Sequence, residues 1–168
     1  GAEVRFEPDG SVMIAVGTES NGQGHETSFA QIASKHLGLP IEVFRYVQAD
    51  TRAVKSGAGH GGARSMHMGG AALVRAMDAA LAKARKLAAH LLQASEHELD
   101  YDRGRFTVRG SDRAVDLASL AGSAQEAANL PDGMLPGLGE HVLNITDVFT
   151  FPSRSEERRV GKECSLPC

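Results

Sequence analysis

GTESNGQGHETSFAQIASKHLGLP, residues 17–40, leaves a strand through a glycine-broken loop, enters a helix and stops again within three turns. Phe29, Ile32 and Ala33 fall on one face at helical spacing, which predicts a helix over residues 27–36 with Glu26 or Thr27 in its first turn. Gly38 can take the left-handed conformation that ends a helix, and Pro40 cannot continue one. Just upstream, residues 4–6 and 12–16 read as two strands joined by Glu7-Pro8-Asp9-Gly10, a turn whose Pro and Gly supply the required dihedrals. Just downstream, residues 41–47 read as a further strand with Ile41 and Val43 turned inward.

Farther along, SGAGHGGARS at residues 56–65 contains Gly57, Gly59 and Gly62 in the G-x-G-x-x-G spelling of a dinucleotide-binding turn. Such a turn needs its first glycine directly after a strand and an acidic residue about 20 positions on, at the end of the next strand. Here the preceding strand ends near Val47 or Gln48, eight residues separate it from the first glycine, and Asp78 falls inside a helix pattern. A dinucleotide site is therefore not expected. The glycines still remove side chains where a helix begins, so Ala63, Arg64 and Ser65 can offer amides, a guanidinium and a hydroxyl to an anion at that helix's positive end. The plain alternative is a linker with an N-cap at Ser65. Gly22, Gln23 and Gly24 form a second glycine-flanked helix start, which suggests a ligand held from two sides. Taken alone, Gln23 serves equally as a turn residue or as a ligand contact.

The remaining pattern predicts a long helix over residues 65–94, with Leu73, Met77, Leu81, Ala84, Ala88 and Leu91 as its apolar stripe. A hairpin follows over residues 98–101 and 105–108 around Asp102-Arg103-Gly104. A short helix over 115–121, capped at Ser111 or Asp112, comes next, and a strand over 142–151 follows a Pro- and Gly-rich loop. The expected class is α+β: a mixed sheet with hairpins, and one short and one long helix each preceded by a glycine-rich loop.

Composition narrows the function. A length of 168 residues suits one domain, and a net charge of −3 with two Tyr and no Trp offers neither a basic field nor stacking rings for nucleic acid. No apolar run is long enough to span a membrane. Both cysteines, Cys164 and Cys168, fall at the very end, so the body has no disulfide framework, and a reducing, cytoplasmic setting is expected. The chain opens inside a strand pattern without Met, as a fragment would. Residues 154–164, RSEERRVGKEC, resemble an in-frame translation of a sequencing adapter. We therefore expect residues 153–168 to be a non-native tail on a domain of residues 1–152.

GQGHETSFAQIASKHLGLP, then VQADT, then GAGHGGARS and a long Ala-rich helix together resemble the molybdopterin-binding large subunit of the xanthine dehydrogenase and aldehyde oxidase family. The carbon-monoxide-dehydrogenase-like branch is the most similar, and the likeness runs through residues 1–152. It implies a fragment of a bacterial molybdenum hydroxylase, an oxidoreductase acting on a small molecule, with the isolated fragment inactive. It also implies molybdenum on a molybdopterin dithiolene, in bacteria often extended to a cytosine dinucleotide. Electrons would pass to an iron–sulfur subunit carrying 2Fe-2S and to a flavin subunit carrying FAD.

By match, Gly22, Gln23, Gly24 and His25 would contact the pterin, while Gly62, Ala63, Arg64 and Ser65 would bind the pterin and its phosphate. The rival expectation is a non-catalytic phosphate- or nucleotide-binding module, which would not need the Gln23 segment. The family's chemistry requires a glutamate base in a G-x-G-E stretch. Gly137-Leu138-Gly139-Glu140 has that spelling, yet it follows too soon after the cofactor loops, so Glu140 is expected to be an ordinary loop carboxylate. His25, His60 and His67 lie near the loops but match no metal-ligand spacing, and no protein-held metal is expected; His25 and His60 fit better as hydrogen-bond donors to the cofactor.

Overall fold

The computed structural model describes residues 1–48 and 65–142. Two sheets and three α-helices make up this part, in keeping with an α+β class. The larger sheet has four strands: β1 (Ala2–Phe6), β2 (Val12–Val16), β3 (Phe44–Val47) and, from far along the chain, β7 (Leu138–Val142). Their order is β3-β2-β1-β7. β1 runs antiparallel to both β2 and β7, in the registers Val4↔Ile14 and Val4↔Glu140. β2 and β3 run parallel, with Ile14 opposite Tyr46.

The mixed order has a local cause. β1 and β2 are joined by a tight turn in which Asp9 Oδ1 accepts from the Ser11 amide at 2.9 Å, and Gly10 sits at φ +83°. β2 and β3 are joined instead through helix α1 (His25–Leu37), and a crossover of that length returns the chain parallel to where it began. Gly38 ends α1 at φ +69°, its amide donating to Ser34 O, as its place in the sequence predicts. Ligand-binding loops of such units collect at the carboxyl ends of the parallel strands.

Alternation decides the buried face. Val4, Phe6, Val12, Ile14 and Val16 turn into the core, while Glu3 and Arg5 pair with each other on the opposite side at 2.8 Å. Against the inner face lie α1 and α2 (Gly70–Leu92). α2 buries Leu73, Met77, Ala84 and Ala88 completely. Its alanines let it lie close to the sheet, and Leu81 is only partly buried at the edge of that stripe. Leu91, expected in the stripe, is 36% exposed, two residues before Gln93 ends the helix at φ +49°.

The smaller sheet holds β4 (Leu99–Asp102), β5 (Arg105–Val108) and β6 (Ala114–Asp116), all antiparallel. Arg85 of α2 anchors it. Its Nη1 donates to Leu99 O at 2.6 Å and its guanidinium sits 5.3 Å from the centre of the Phe106 ring. Tyr101 adds a second tie by donating to Leu37 O at 2.8 Å, and burial pushes its pKa up to about 12.

Four expectations need correction. Residues 41–43 form a 3-10 turn rather than the start of β3, because the Val43 amide bonds back to Pro40 O at 3.3 Å; Ile41 is left 37% exposed. Residues 114–116 pair with β5 instead of opening a helix. Helix α3 (Leu117–Ser123) therefore starts later and is capped by Asp116, not by Ser111 or Asp112. The long helix begins with a π-helical turn, Ser65–Gly69. The closing strand starts at Leu138, four residues early, because pairing with β1 selects it; residues 143–151 lie outside the described residues.

Candidate functional site

The carboxyl ends of β2 and β3 lead into one cluster built from the first glycine-rich segment. Gly22 and Gly24 sit at φ +97° and +72°, a region costly for other residues, and a Cβ on either would meet nothing within 4 Å. The backbone here is thus bare on its outer side. Gly24 is the N-cap of α1, and no side chain caps the first amides of that helix among the described residues. Unpaired amides at a positive helix end are the elements of an anion site.

Gln23 is used inside its own loop: its Oε1 accepts from the Asn21 amide, and its Nε2 donates to Glu19 O at 3.2 Å. Among the described residues, one N–H of the carboxamide is left without an acceptor. Gln48, at the end of β3, accepts from the Ser20 amide at 3.0 Å and so ties the loop to the parallel strand.

His25 begins α1, about one turn before Phe29, and is 3% exposed. Its ring centre lies 5.4 Å from that of Phe29, which in turn stacks on Tyr46 at 5.8 Å. Its Nδ1 is 3.4 Å from Thr18 Oγ1. The Tyr46 hydroxyl is buried and has no well-formed hydrogen bond among the described residues; burial raises its pKa, with Thr18 as its polar neighbour.

The chain that follows the second glycine-rich segment packs at the same place. Gly69, the last residue of the π-helical turn, is buried so tightly that a Cβ would lie 3.0 Å from Phe29 Cζ, 3.0 Å from Val16 Cγ1 and 3.2 Å from Thr18 Cγ2. A side chain here would need Phe29, Val16 and Thr18 to give way for the start of α2 to stay against the end of β2 and the first turn of α1. Ser65 lies four residues before this contact, half-buried. Gly62, Ala63 and Arg64 lie outside the described residues, as does His60. π-turns are frequent at functional sites.

Other sequence candidates lie elsewhere. Glu140 is on β7 rather than in a loop, and its Oε1 pairs with Lys83 Nζ of α2 at 3.3 Å. The glycine before it has a packing cause: a Cβ on Gly139 would lie 2.9 Å from Arg5 Cγ and 3.1 Å from Val4 O of the neighbouring strand. The G-x-G-E spelling thus coincides with a close strand contact. Asp78 is exposed on α2 and bonded to His36 at 2.7 Å. His67 is exposed, and Met66, read as packing, is 37% exposed. Among the described residues no three His, Cys, Asp or Glu side chains cluster as metal ligands, and no helix is long and apolar enough to cross a membrane. Thr18, Tyr46 and Gln48 were missed as parts of this cluster, although Gln48 opens the VQADT stretch and Thr18 follows the strand-ending Gly17.

Residues 1–163 match the family described as molybdopterin cofactor-binding domain. The chain belongs to that family. Within it, the chain is 39% identical over 151 residues to the carbon monoxide dehydrogenase large chain of Hydrogenophaga pseudoflava, covering 89% of this chain and 19% of the relative. It is 32% identical over 143 residues to the 6-hydroxypseudooxynicotine dehydrogenase complex subunit gamma of Paenarthrobacter nicotinovorans, covering 85% and 18%. Among solved structures, reconstituted CO dehydrogenase from Oligotropha carboxidovorans superimposes with a TM-score of 0.74 at 37% identity, over 83% of this chain and 17% of that one. Quinoline 2-oxidoreductase from Pseudomonas putida 86 gives 0.73 at 30% identity, over 88% and 19%. This molybdopterin cofactor-binding domain thus spans less than a fifth of the length of the relatives it matches.

Proposed function

We propose that the chain is part of the large subunit of a molybdenum hydroxylase and holds the molybdopterin between its two glycine-rich segments. One observation carries most of this: Gly69 brings the start of α2, five residues after Arg64, against Thr18 and Phe29 beside the first segment. The donor set suits the group. Open amides at the head of α1 and the bare backbone at Gly22 and Gly24 favour a flat, polar, anionic ligand approached at close range. In this reading Gly22, Gln23, Gly24 and His25 contact the pterin, and Gly62, Ala63, Arg64 and Ser65 take the pterin and its phosphate. Gln23 offers its remaining N–H while its other bonds keep the loop shaped. When bound, the cofactor supplies the redox chemistry of molybdenum held on the pterin dithiolene.

The finer features follow from the same reading. The cofactor is the cytosine dinucleotide form, the parent enzyme is cytoplasmic, and it acts on a small molecule while passing electrons to partner 2Fe-2S and FAD subunits. Residues 153–168 are a non-native tail on the domain of residues 1–152. Glu140 is no base, since Lys83 engages its carboxylate on the far strand of the sheet. The catalytic base then belongs to the rest of the parent subunit, and the isolated chain is inactive. A plain phosphate-binding module would need neither the Gln23 loop nor the buried His25 beside it.

Arg64→Ala in the full-length subunit tests the assignment. Loss of a charge-assisted phosphate contact is worth about 1.5–3 kcal/mol, so the purified variant should retain at least about tenfold less molybdenum. Wild-type metal content would refute it.

A further inference from the structure

Glu140 lies on the core side of the larger sheet, opposite the fully buried Val4, on the strand at the end of the order. Among the described residues no strand pairs with the outer side of that strand, β7. Beside it, between α2 and the loop before β7, runs a groove of about 660 Å³. Ala79 and Ala82 of α2 form one wall, and Met134 and Leu135 of the loop form the other. The Lys83–Glu140 ion pair also lines it, with the Lys83 side chain only 15% exposed. Leu135 is 75% exposed, more than any other large hydrophobic residue among the described residues. A single exposed leucine is ordinary on a surface. This one borders an apolar-walled groove at an unpaired sheet edge, which is the form of a contact surface.

Charge and chain length select the occupant. Lys86, Glu96 and Asp132 also line the groove, and charges of both signs suit neither an anionic lipid surface nor a nucleic acid. Apolar walls among such charges suit a protein segment. The chain matches only 19% of the Hydrogenophaga pseudoflava large chain and 17% of the solved CO dehydrogenase chain. Val142, the last described residue, ends β7 itself, so the polypeptide continues from the strand that borders the groove. A segment tethered there has a high effective concentration beside the groove. We propose that the groove is a docking surface within the large subunit, filled by a segment of that same subunit lying outside this chain. Its apolar side chains cover Leu135, Met134 and Ala82, and its polar ones meet Lys86 and Asp132. The proposal rests on the reading of the chain as part of a large subunit and makes no use of the cofactor.

The test uses the assembled holoenzyme. Leu135→Cys and Ala82→Cys place a thiol on each wall, and N-ethylmaleimide labelling is read site by site from peptide masses. Both positions should label at least about tenfold more slowly than in the same protein unfolded in guanidinium, because a covered thiol reacts only when the contact opens. Labelling of either native site at the unfolded rate would overturn the proposal. The occupant is identified by growing the wild-type enzyme with photo-leucine, a near-isosteric diazirine analogue, and mapping the cross-links formed from position 135 on irradiation. Cross-links to large-subunit peptides outside this chain are expected. Cross-links to a partner subunit, or only to residues 1–152, would contradict the assignment. Neither readout depends on molybdenum content, so failure here is distinguishable from failure of the Arg64→Ala test.

Discussion

Helices α1 and α3 begin in opposite ways. Asp116 precedes α3 in extended backbone at φ −93°, and its Oδ1 accepts from the Ser119 amide at 2.7 Å. Gly24 precedes α1 in left-handed backbone at φ +72°, and no side chain caps that helix among the described residues. One helix end is closed by its own carboxylate, while the other keeps bare amides and a bare backbone. The same local chemistry was available at both ends, since Glu26 and Thr27 lie within the first turn of α1. The left-handed glycine instead brings no side chain to the helix end. A helix end left open in this way, with the start of α2 packed beside it, is what the proposed cofactor site needs.

Breaking the convergence should have the largest effect. Gly69→Leu places a side chain where even a Cβ meets Phe29 and Val16 at 3.0 Å. We expect a loss of about 1–3 kcal/mol in urea-induced unfolding, from overpacking alone. The same change at an exposed glycine such as Gly110, which has open space around it but a φ of +73°, would cost through backbone strain rather than crowding.

Removing the closed cap should cost less. Asp116→Ala is expected to lower stability by about 1 kcal/mol, read from the unfolding midpoint. A pH dependence sharpens the contrast. The amides of Ser119 and Ala118, with the Ser119 hydroxyl, hold the Asp116 carboxyl below its ordinary range. Its contribution is present above the unfolded value of about 3.9 and is lost as pH falls through the lower folded value. Stability below about pH 4 should therefore fall less steeply in Asp116→Asn than in the wild type. α1 has no matching carboxylate cap to lose.

Much of this arrangement was legible in the sequence. Gly38 and Pro40 ended α1 as expected, and the stripe of Leu73, Met77, Ala84 and Ala88 lies in the core. What failed depended on distant pairing. Residues 114–121 carry Val115, Leu117, Leu120 and Ala121, a spacing that suits a helix throughout, yet the edge of β5 captures the first three. β7 sits in a Gly- and Pro-rich stretch without alternation, and only its register with β1, over 130 residues away, makes it a strand. The cluster was half legible. The glycines marked the first loop, between β2 and α1, but the places of Thr18, Tyr46 and Gln48 beside it come from the parallel pairing of β2 and β3, which no local pattern encodes.

The open end of α1 is the central claim, and molybdenum content of the purified full-length subunit tests it most directly, with Gly24→Asp set against Gly24→Asn. Both side chains tolerate left-handed backbone to a similar degree, so their difference isolates one negative charge at the helix head. Repulsion of an anionic cofactor predicts that Gly24→Asp retains at least about tenfold less molybdenum than Gly24→Asn, on the scale of one charge-assisted contact. Equal metal content in the two variants would contradict the account.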